Sequence, residues 1–369
     1  MSWPQDHSGS SDPHTCVSPL TLNSTSSSPS DKVPSDSTVS FFIGTFVLAI
    51  VFLLGVPGNL FIIWSILARA RQRSVTTLII LNLACADGAI MCLTIFFIVY
   101  LAKQSWVFGR FMCKLLFYLC NTNMYASIML ITLMSVHRLV TVLRPQDAHL
   151  FKRRRNVLSV LTMLWVLVFT LAIPAFIFRD VEEKLCSQVV CSHKHTDPKY
   201  VVIHFCMETV VGFLLPYAII VSSYVCILLR LRQTRFKRRV RSEKLILSII
   251  ITFAVFWIPY HIINIMQVVS ACAPAHSQLQ TLNNFSRSYR AAASSLAFIS
   301  SCANPVLYAL AGRSYIRVDG MSFMARLFEG TALEITNGTL QIQRKISRAG
   351  AAVLGLKNCD SHANREDQI

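Results

Sequence analysis

Seven long apolar stretches, separated by short polar or basic links, run along this chain at about 41–67, 77–101, 113–136, 157–178, 202–229, 245–271 and 291–311. Each holds roughly 20 residues or more, enough for a helix to cross a hydrocarbon core about 30 Å thick. Polar residues inside them are few and isolated, and nothing alternates with a period of two, so the predicted element is a membrane helix in every case. Farther on, Phe323, Leu327 and Phe328 share one face of an amphipathic segment. That pattern predicts a helix lying on the membrane surface. Residues 1–40 are rich in Ser, Thr, Pro and Asp and carry no apolar run, the composition of a disordered tail. The expected architecture is an all-α membrane protein, a seven-transmembrane helix bundle with a short amphipathic eighth helix. Its parts are a tail over 1–40, the bundle over 41–312, the surface helix over 313–330 and a second tail over 331–369.

Composition sharpens this picture. Of 369 residues 53% are hydrophobic and only 14% charged, with a mean hydropathy of +0.51; a soluble domain of this length carries far more charge. The formal charge of +17 is distributed unevenly. Besides Arg138, the links after the first, third and fifth stretches hold sixteen Lys and Arg, among them Arg69, Arg144, Lys152 and Arg238, against eight in the alternate links. The positive-inside rule therefore puts the N-terminus outside the cell and the C-terminus in the cytoplasm. Cations that bracket membrane spans point to no nucleic-acid partner. The first span is expected to serve as its own insertion signal, because the tail ahead of it resembles no signal peptide. Asn23 opens an Asn-Ser-Thr glycosylation sequon on the expected outer side.

Twelve cysteines do not make a disulfide scaffold here. Cys85, Cys92, Cys120, Cys206, Cys226 and Cys302 fall within spans, where a thiol packs as a small apolar group. Cys113 opens the third span on the outer side, and Cys186 and Cys191 lie in the long outer link between the fourth and fifth. One of the two is expected to bridge to Cys113. Cys16 and Cys272 are candidates for a second outer bridge.

Polar residues inside the spans carry the chemistry. Asn304-Pro305-Val306-Leu307-Tyr308 lies near the inner end of the seventh stretch. Proline removes a backbone donor and loosens the preceding turn, so the segment is a hinge with polar contacts. Asp87 sits near the midplane of the second span, where an unpaired carboxylate costs at least about 2.5 kcal/mol. Its candidate partners at matching depth are Asn59, Asn123, Ser127, Ser300 or Ser301, and Asn304, an oxygen-rich group that suits a sodium ion or a proton. No other cofactor is expected. No inverted repeat or broken half-helix pair suggests a transporter, and no His-Glu-x-x-His or nucleophile elbow suggests an enzyme.

Further motifs recur one per span: Gly58-Asn59; Leu83-Ala84-Cys85-Ala86-Asp87; Ser135-Val136-His137-Arg138; Trp165 and Pro174; Pro216 and Tyr224; Phe256-Trp257-Ile258-Pro259-Tyr260-His261; and the Asn304-Pro305 segment. Over about residues 40–330 the chain resembles the rhodopsin-class G-protein-coupled receptors. The resemblance implies a plasma-membrane receptor that activates a heterotrimeric G protein, of inhibitory type, and then meets receptor kinases and arrestin through its C-terminal tail. It implies that Trp257 is the switch beneath the ligand and Pro259 the kink that converts its motion into a swing of the sixth helix. Arg138 would then meet the G protein, with Tyr224 and Tyr308 closing behind. The family's acidic residue before this arginine is His137 here, which implies appreciable ligand-independent signalling.

Local words narrow the resemblance. Leu83 to Ala89, Met124 to Ser127, Pro259 to Asn264, Leu296 to Ser301 and Phe323 to Gly330 resemble the leukotriene B4 receptors. Cys120 stands where amine receptors hold an aspartate, and the N-terminal tail has no tyrosine for sulfation. An acidic lipid ligand, leukotriene B4 first, is therefore implied in chemoattractant signalling. Another hydroxy-fatty acid such as 12-hydroxyheptadecatrienoic acid, or a chemoattractant peptide, is the alternative. The resemblance implies Arg179 and Arg290 for the carboxylate, Glu208, Tyr260 and Asn264 for hydroxyl selection, and His261 beside them. Phe117 replaces a histidine found in one family member. Spacing against one leukotriene receptor pattern favours Cys191 as the partner of Cys113, with Cys186 as the alternative.

Overall fold

The computed structural model describes residues 36–68, 74–144, 154–183, 188–233, 240–272 and 277–311. Helices α1 (Asp36–Ala68), α2 (Val75–Lys103), α3 (Gly109–Leu143) and α4 (Arg154–Ile177) are followed by a hairpin of β1 (Arg179–Glu183) and β2 (Val189–His193). Then come α5 (Pro198–Thr209), a π-helical turn (Val210–Leu214), α6 (Leu215–Gln233), α7 (Val240–Cys272) and α8 (Ser277–Ala311). α5, the π turn and α6 make one continuous column, so the helices form the seven columns expected from the apolar pattern. Among the described residues, six columns are long and apolar enough to cross a membrane. The remaining long helix, α8, is more polar and is sheltered between α7 and α1.

The bundle wears its apolar residues on the outside. Leu53, Phe46, Met163 and Val166 are all more than 60% exposed, a surface that suits lipid rather than water as solvent. Its centre holds both polar and apolar groups. α3 runs against α2, α4 and α6, and Tyr125, Met124, Ile128 and Ile131 of α3 pack with Phe213, Phe253 and Trp257.

Local chemistry fixes several boundaries. Ser74 Oγ accepts the Thr77 N–H at 3.2 Å and caps α2. Gln104 ends that helix in the left-handed region at φ 53° and returns its N–H to Leu101 O. Asp197 Oδ1 accepts the Lys199 N–H at 2.8 Å, and Pro198 occupies the first position of α5. The π turn lies just ahead of Pro216, with the Leu215 N–H reaching back to Val210 O. Such wide turns inside helices often mark functional positions.

The hairpin is anchored rather than loose. It is antiparallel, pairing Arg179 with His193 and Val181 with Cys191. Cys191 is bonded to Cys113 with Cα atoms 5.8 Å apart, which bears out the favoured pairing and excludes Cys186 as that partner; Cys186 itself lies outside the described residues. The Trp106 N–H donates to Val189 O at 2.7 Å and its indole N–H to Gly109 O at 2.8 Å. Arg110 pairs with Asp180 at 2.8 Å.

Several expectations need correction. The strands in the link after α4 were not foreseen, and Arg179 opens the first of them. α8 starts at Ser277, well before the predicted 291, so Arg287 and Arg290 are helical residues. Apolarity reports the part of a helix inside the bilayer, not the polar turns that extend it. Cys272 keeps a free, exposed thiol, so the second bridge is not formed. Asn23, Cys16, the surface helix over 313–330 and the tail over 331–369 lie outside the described residues.

Candidate functional site

Two polar centres occupy the bundle. The deeper one surrounds Asp87, which is fully buried. Asn304 Nδ2 donates to its Oδ2 at 2.8 Å, and Asn123 Nδ2 to its Oδ1 at 3.0 Å. Ser127 Oγ donates to the same Oδ1 at 3.4 Å, and Ser301 also faces the carboxylate. Ser301, rather than Ser300, is thus the serine of this group. Ser300 Oγ instead accepts the Trp257 indole N–H at 3.0 Å and donates to Ala297 O at 2.7 Å. Asn59 does not touch Asp87; its Nδ2 bonds the backbone oxygens of Gly55 and Ser301. Asn123 Oδ1 is buried with no hydrogen-bond partner. It joins the aspartate and two hydroxyls in a set of hard oxygens of the kind hard cations take.

The second centre lies at the hairpin end, where β1, β2, α3, α5, α7 and α8 converge. Glu208, on the last turn of α5 before the π turn, is almost wholly buried. Its Oε2 accepts Tyr260 Oη at 3.0 Å and Asn264 Nδ2 at 2.9 Å. Tyr260 and Asn264 sit on one face of α7, a turn apart. Asn264 Oδ1 in turn accepts Arg290 Nη2 at 3.0 Å, and Gln267 Oε1 accepts the same nitrogen at 2.7 Å. The Arg290 guanidinium lies 4.7 Å from the Phe205 ring centre. Its Nε and Nη1 are buried without an acceptor.

Arg179 approaches from β1. Its Nη1 donates to Cys191 O at 3.2 Å, and its guanidinium carbon lies 3.5 Å from the centre of the Phe117 ring. Its Nε is buried without an acceptor. Burial pulls this arginine down to about 10, so it stays charged at neutral pH. The centre therefore holds two cations against one carboxylate, with unused donors on both cations. Leaving such donors buried is costly, and an anion supplied from outside would satisfy them.

His261 is buried and stacks on Phe213, ring centres 4.6 Å apart, with neither nitrogen hydrogen-bonded. It lies a turn below Asn264, between the second centre and Trp257, which it meets at 6.2 Å. Pro259 lies within α7 and Pro305 within α8. Arg138 is half-buried beside the buried His137, and Tyr224 packs against the main core from α6. Tyr308 belongs to α8, but its side chain lies outside the described residues.

Four residues absent from the sequence-based set belong to the hairpin-end centre. Gln267 holds Arg290, and His204 stands 3.2 Å from Glu208 Oε1, off the line of a hydrogen bond. Tyr125 has a buried hydroxyl without a hydrogen-bond partner and lies within electrostatic reach of Glu208 and Tyr260. Tyr100 of α2 reaches the backbone of Cys191. Position on the pocket-facing turn of α7 was the available signal for Gln267, three residues past Asn264. His204 offered a similar one, four residues before Glu208.

Comparison with known proteins agrees with the seven-column fold. Residues 58–308 match the model of the 7 transmembrane receptor (rhodopsin family). The chain is 38% identical to leukotriene B4 receptor 1 of Homo sapiens over 318 residues, covering 86% of this chain and 89% of that one. It is 36% identical to leukotriene B4 receptor 2 of Homo sapiens over 293 residues, 78% and 81% of the two chains. Chemerin-like receptor 2 of Rattus norvegicus is 29% identical over 279 residues, 74% and 77% of the two chains. With a membrane bundle, a buried polar centre around Asp87 and this match over most of its length, the chain belongs to the rhodopsin family of seven-transmembrane, G-protein-coupled receptors, multi-pass proteins of the plasma membrane and not enzymes.

Proposed function

We propose that this receptor answers an acidic, hydroxylated lipid, with leukotriene B4 the first candidate, and relays it to an inhibitory-type G protein in chemoattractant signalling. The observation that carries the reading is the pair of buried Arg179 and half-buried Arg290, each with buried, unpartnered N–H groups beside the Glu208–Tyr260–Asn264 cluster. A ligand carboxylate takes the free donors of the arginines. Ligand hydroxyls exchange with the Tyr260 and Asn264 bonds to Glu208, and the lipid chain lies along Phe117 and the apolar turns below. The names of two relatives support leukotriene B4. Another hydroxy-fatty acid, such as 12-hydroxyheptadecatrienoic acid, fits the same chemistry. A chemoattractant peptide is the second reading, favoured by the more distant chemerin-like relative.

The test is binding of tritiated leukotriene B4 to wild type, Arg179→Ala and Arg290→Ala receptors at matched surface expression. Loss of a charge-assisted hydrogen bond predicts affinity lower by roughly 10- to 100-fold in each variant. Unchanged affinity in both would sink the carboxylate assignment. A G-protein activation screen with leukotriene B4, 12-hydroxyheptadecatrienoic acid and formyl peptides separates the ligand classes.

In the same reading, ligand at the hairpin end moves His261 and Trp257, α7 pivots at Pro259, and Arg138, Tyr224 and Tyr308 rearrange for the G protein. The N-terminus faces outside, with Asn23 glycosylated, and the C-terminus faces the cytoplasm behind a surface helix over 313–330. Thr331, Thr336, Thr339, Ser347 and Ser361 offer kinase sites for arrestin. A carboxylate at 137 would add an ion pair to Arg138, so His137→Asp is expected to lower basal signalling. Equal basal activity at matched expression counts against this. Asp87, Ser127, Ser301 and Asn123 would hold a sodium ion, which contributes charge neutralisation when bound. Sodium chloride, compared with equal choline chloride, then weakens agonist binding to wild type and leaves Asp87→Asn unaffected; equal sensitivity of the two would remove the ion from the scheme.

A further inference from the structure

A continuous polar chain links the hairpin segment to the arginine that the proposed function assigns to the ligand. His195, just past β2, places Nε2 3.1 Å from Nδ1 of His204 on α5. His204 Nε2 stands 3.2 Å from Glu208 Oε1. Glu208 Oε2 then holds Asn264, and Asn264 holds Arg290. His195 is half-buried, whereas His204 and Glu208 are each about 1% exposed. The chain thus begins at the outer rim of the site and ends at its core.

Neighbours determine the protons along it. A carboxylate oxygen at 3.2 Å repels a lone pair even off the line of a hydrogen bond, which favours the tautomer of His204 with its hydrogen on Nε2. His204 Nδ1 is then an acceptor and must receive the His195 Nε2–H. The only basic nitrogen left on the pair is His195 Nδ1. His204 from α5, Arg179 from β1 and Arg290 from α8 oppose a proton there, whereas Glu208 from α5 favours one; His193 of β2 is held neutral. His193 completes the group, its ring centre 6.0 Å from that of His195 and 5.7 Å from that of His204. Phe178 stacks on His195 at 4.7 Å and closes its other face.

We infer that His195 and His204 are positioning residues of the acid site, and that an anionic ligand binds with uptake of one proton at His195 Nδ1. The inference rests on the proposed placement of the ligand carboxylate at Arg179 and Arg290. Without ligand, burial first, then His204 and the cations Arg179 and Arg290, hold His195 down to about 4. A ligand carboxylate cancels one of those cations. At a separation of about 8 Å and an effective dielectric near 20, one charge changes proton affinity roughly 30-fold. The proton comes from solvent, no bond other than N–H forms, and the imidazolium still donates through Nε2 to His204. Because binding takes up a proton, affinity rises as pH falls.

The test is equilibrium binding of tritiated leukotriene B4 at pH 7.4 and pH 5.5 to wild type, His195→Gln, His204→Gln and Arg290→Ala receptors in membranes. Glutamine at 195 keeps a donor for His204 and cannot take the proton. The ratio of wild-type to His195→Gln affinity cancels protonation of the lipid itself. That ratio is expected to grow about twofold between pH 7.4 and 5.5, and His204→Gln is expected to flatten the same profile. Should His204→Gln fail to reach the membrane, His195→Gln, altered on a half-exposed segment, decides the matter. An identical ratio at the two pH values, with Arg290→Ala weakened, overturns the proton uptake alone. Unchanged affinity in Arg290→Ala overturns the acid site and the inference with it.

Discussion

The guanidinium of Arg179 sits over the Phe117 ring, its central carbon 3.5 Å from the ring centre. Phe117 of α3 thereby supports a cation carried on a β-strand. A desolvated cation–π contact contributes about 0.5 to 2 kcal/mol. Phe117→Ala should accordingly weaken leukotriene B4 binding by about 2- to 30-fold, whereas Phe117→Tyr, which keeps the ring face, should stay close to wild type. Radioligand saturation at matched surface expression checks both; equal loss in the two variants would mean that ring face does not matter.

Gly58 and Pro305 fix the approach of α1 to α8. A Cβ at position 58 would stand 2.8 Å from Pro305 Cβ and 2.9 Å from its Cγ. A pyrrolidine ring cannot rotate away, so the helices must part. Gly58→Ala is expected to destabilise the receptor by about 1 to 3 kcal/mol, read as a lower Tm in detergent and reduced surface expression. The contrast is Gly88→Ala, whose added methyl meets Asn59 Cβ at an ordinary 3.5 Å. If the two variants melt together, close packing at the hinge is not a constraint.

The Cys113–Cys191 bond closes a sequence separation of 78 residues. Removing such a crosslink costs about 2 to 5 kcal/mol. It would also free the strand whose carbonyl receives Arg179. Cys113→Ser and Cys191→Ser should each lose both surface expression and ligand binding, and Cys272→Ser should keep them. Intact binding in Cys191→Ser would show that the hairpin does not need its anchor.

Acid should destabilise the unliganded receptor at the hairpin. An unfolded histidine takes a proton near pH 6.5, whereas His195 is held down to about 4, chiefly by burial, and His193 well below its usual range for the same reason. Between those values the unfolded chain binds more protons, so this stability is full above about pH 6.5 and is lost as pH falls toward 4. The slope is at most about 1.4 kcal/mol per pH unit for each histidine, and less for His195, which is half-exposed and screened. Thermal unfolding of purified receptor between pH 7.5 and 5 should show a falling Tm, with a shallower fall in His195→Gln. A Tm that rises toward pH 5 would contradict the neutral histidines.

The sequence alone determined the seven columns, because crossing a bilayer demands about 20 apolar residues in a row and that demand is local. It also determined that Asp87, alone in hydrocarbon, needs polar company, and it identified the arginines, Glu208, Tyr260 and Asn264 as candidates. Only the tertiary structure decided who meets whom. Ser301 takes the place beside Asp87 and Ser300 goes to Trp257, since adjacent helical positions point about 100° apart. The β1–β2 hairpin, the widened turn before Pro216 and the reach of α8 back to Ser277 carry no hydropathy signal. Tyr125 was equally silent, and helical spacing from Asn264 and Glu208 was the one signal for Gln267 and His204, because a side chain's partner across helices depends on packing, not on its own segment. The bilayer wrote the columns into the sequence; the distances between Arg179, Glu208 and Arg290 exist only once those columns are packed.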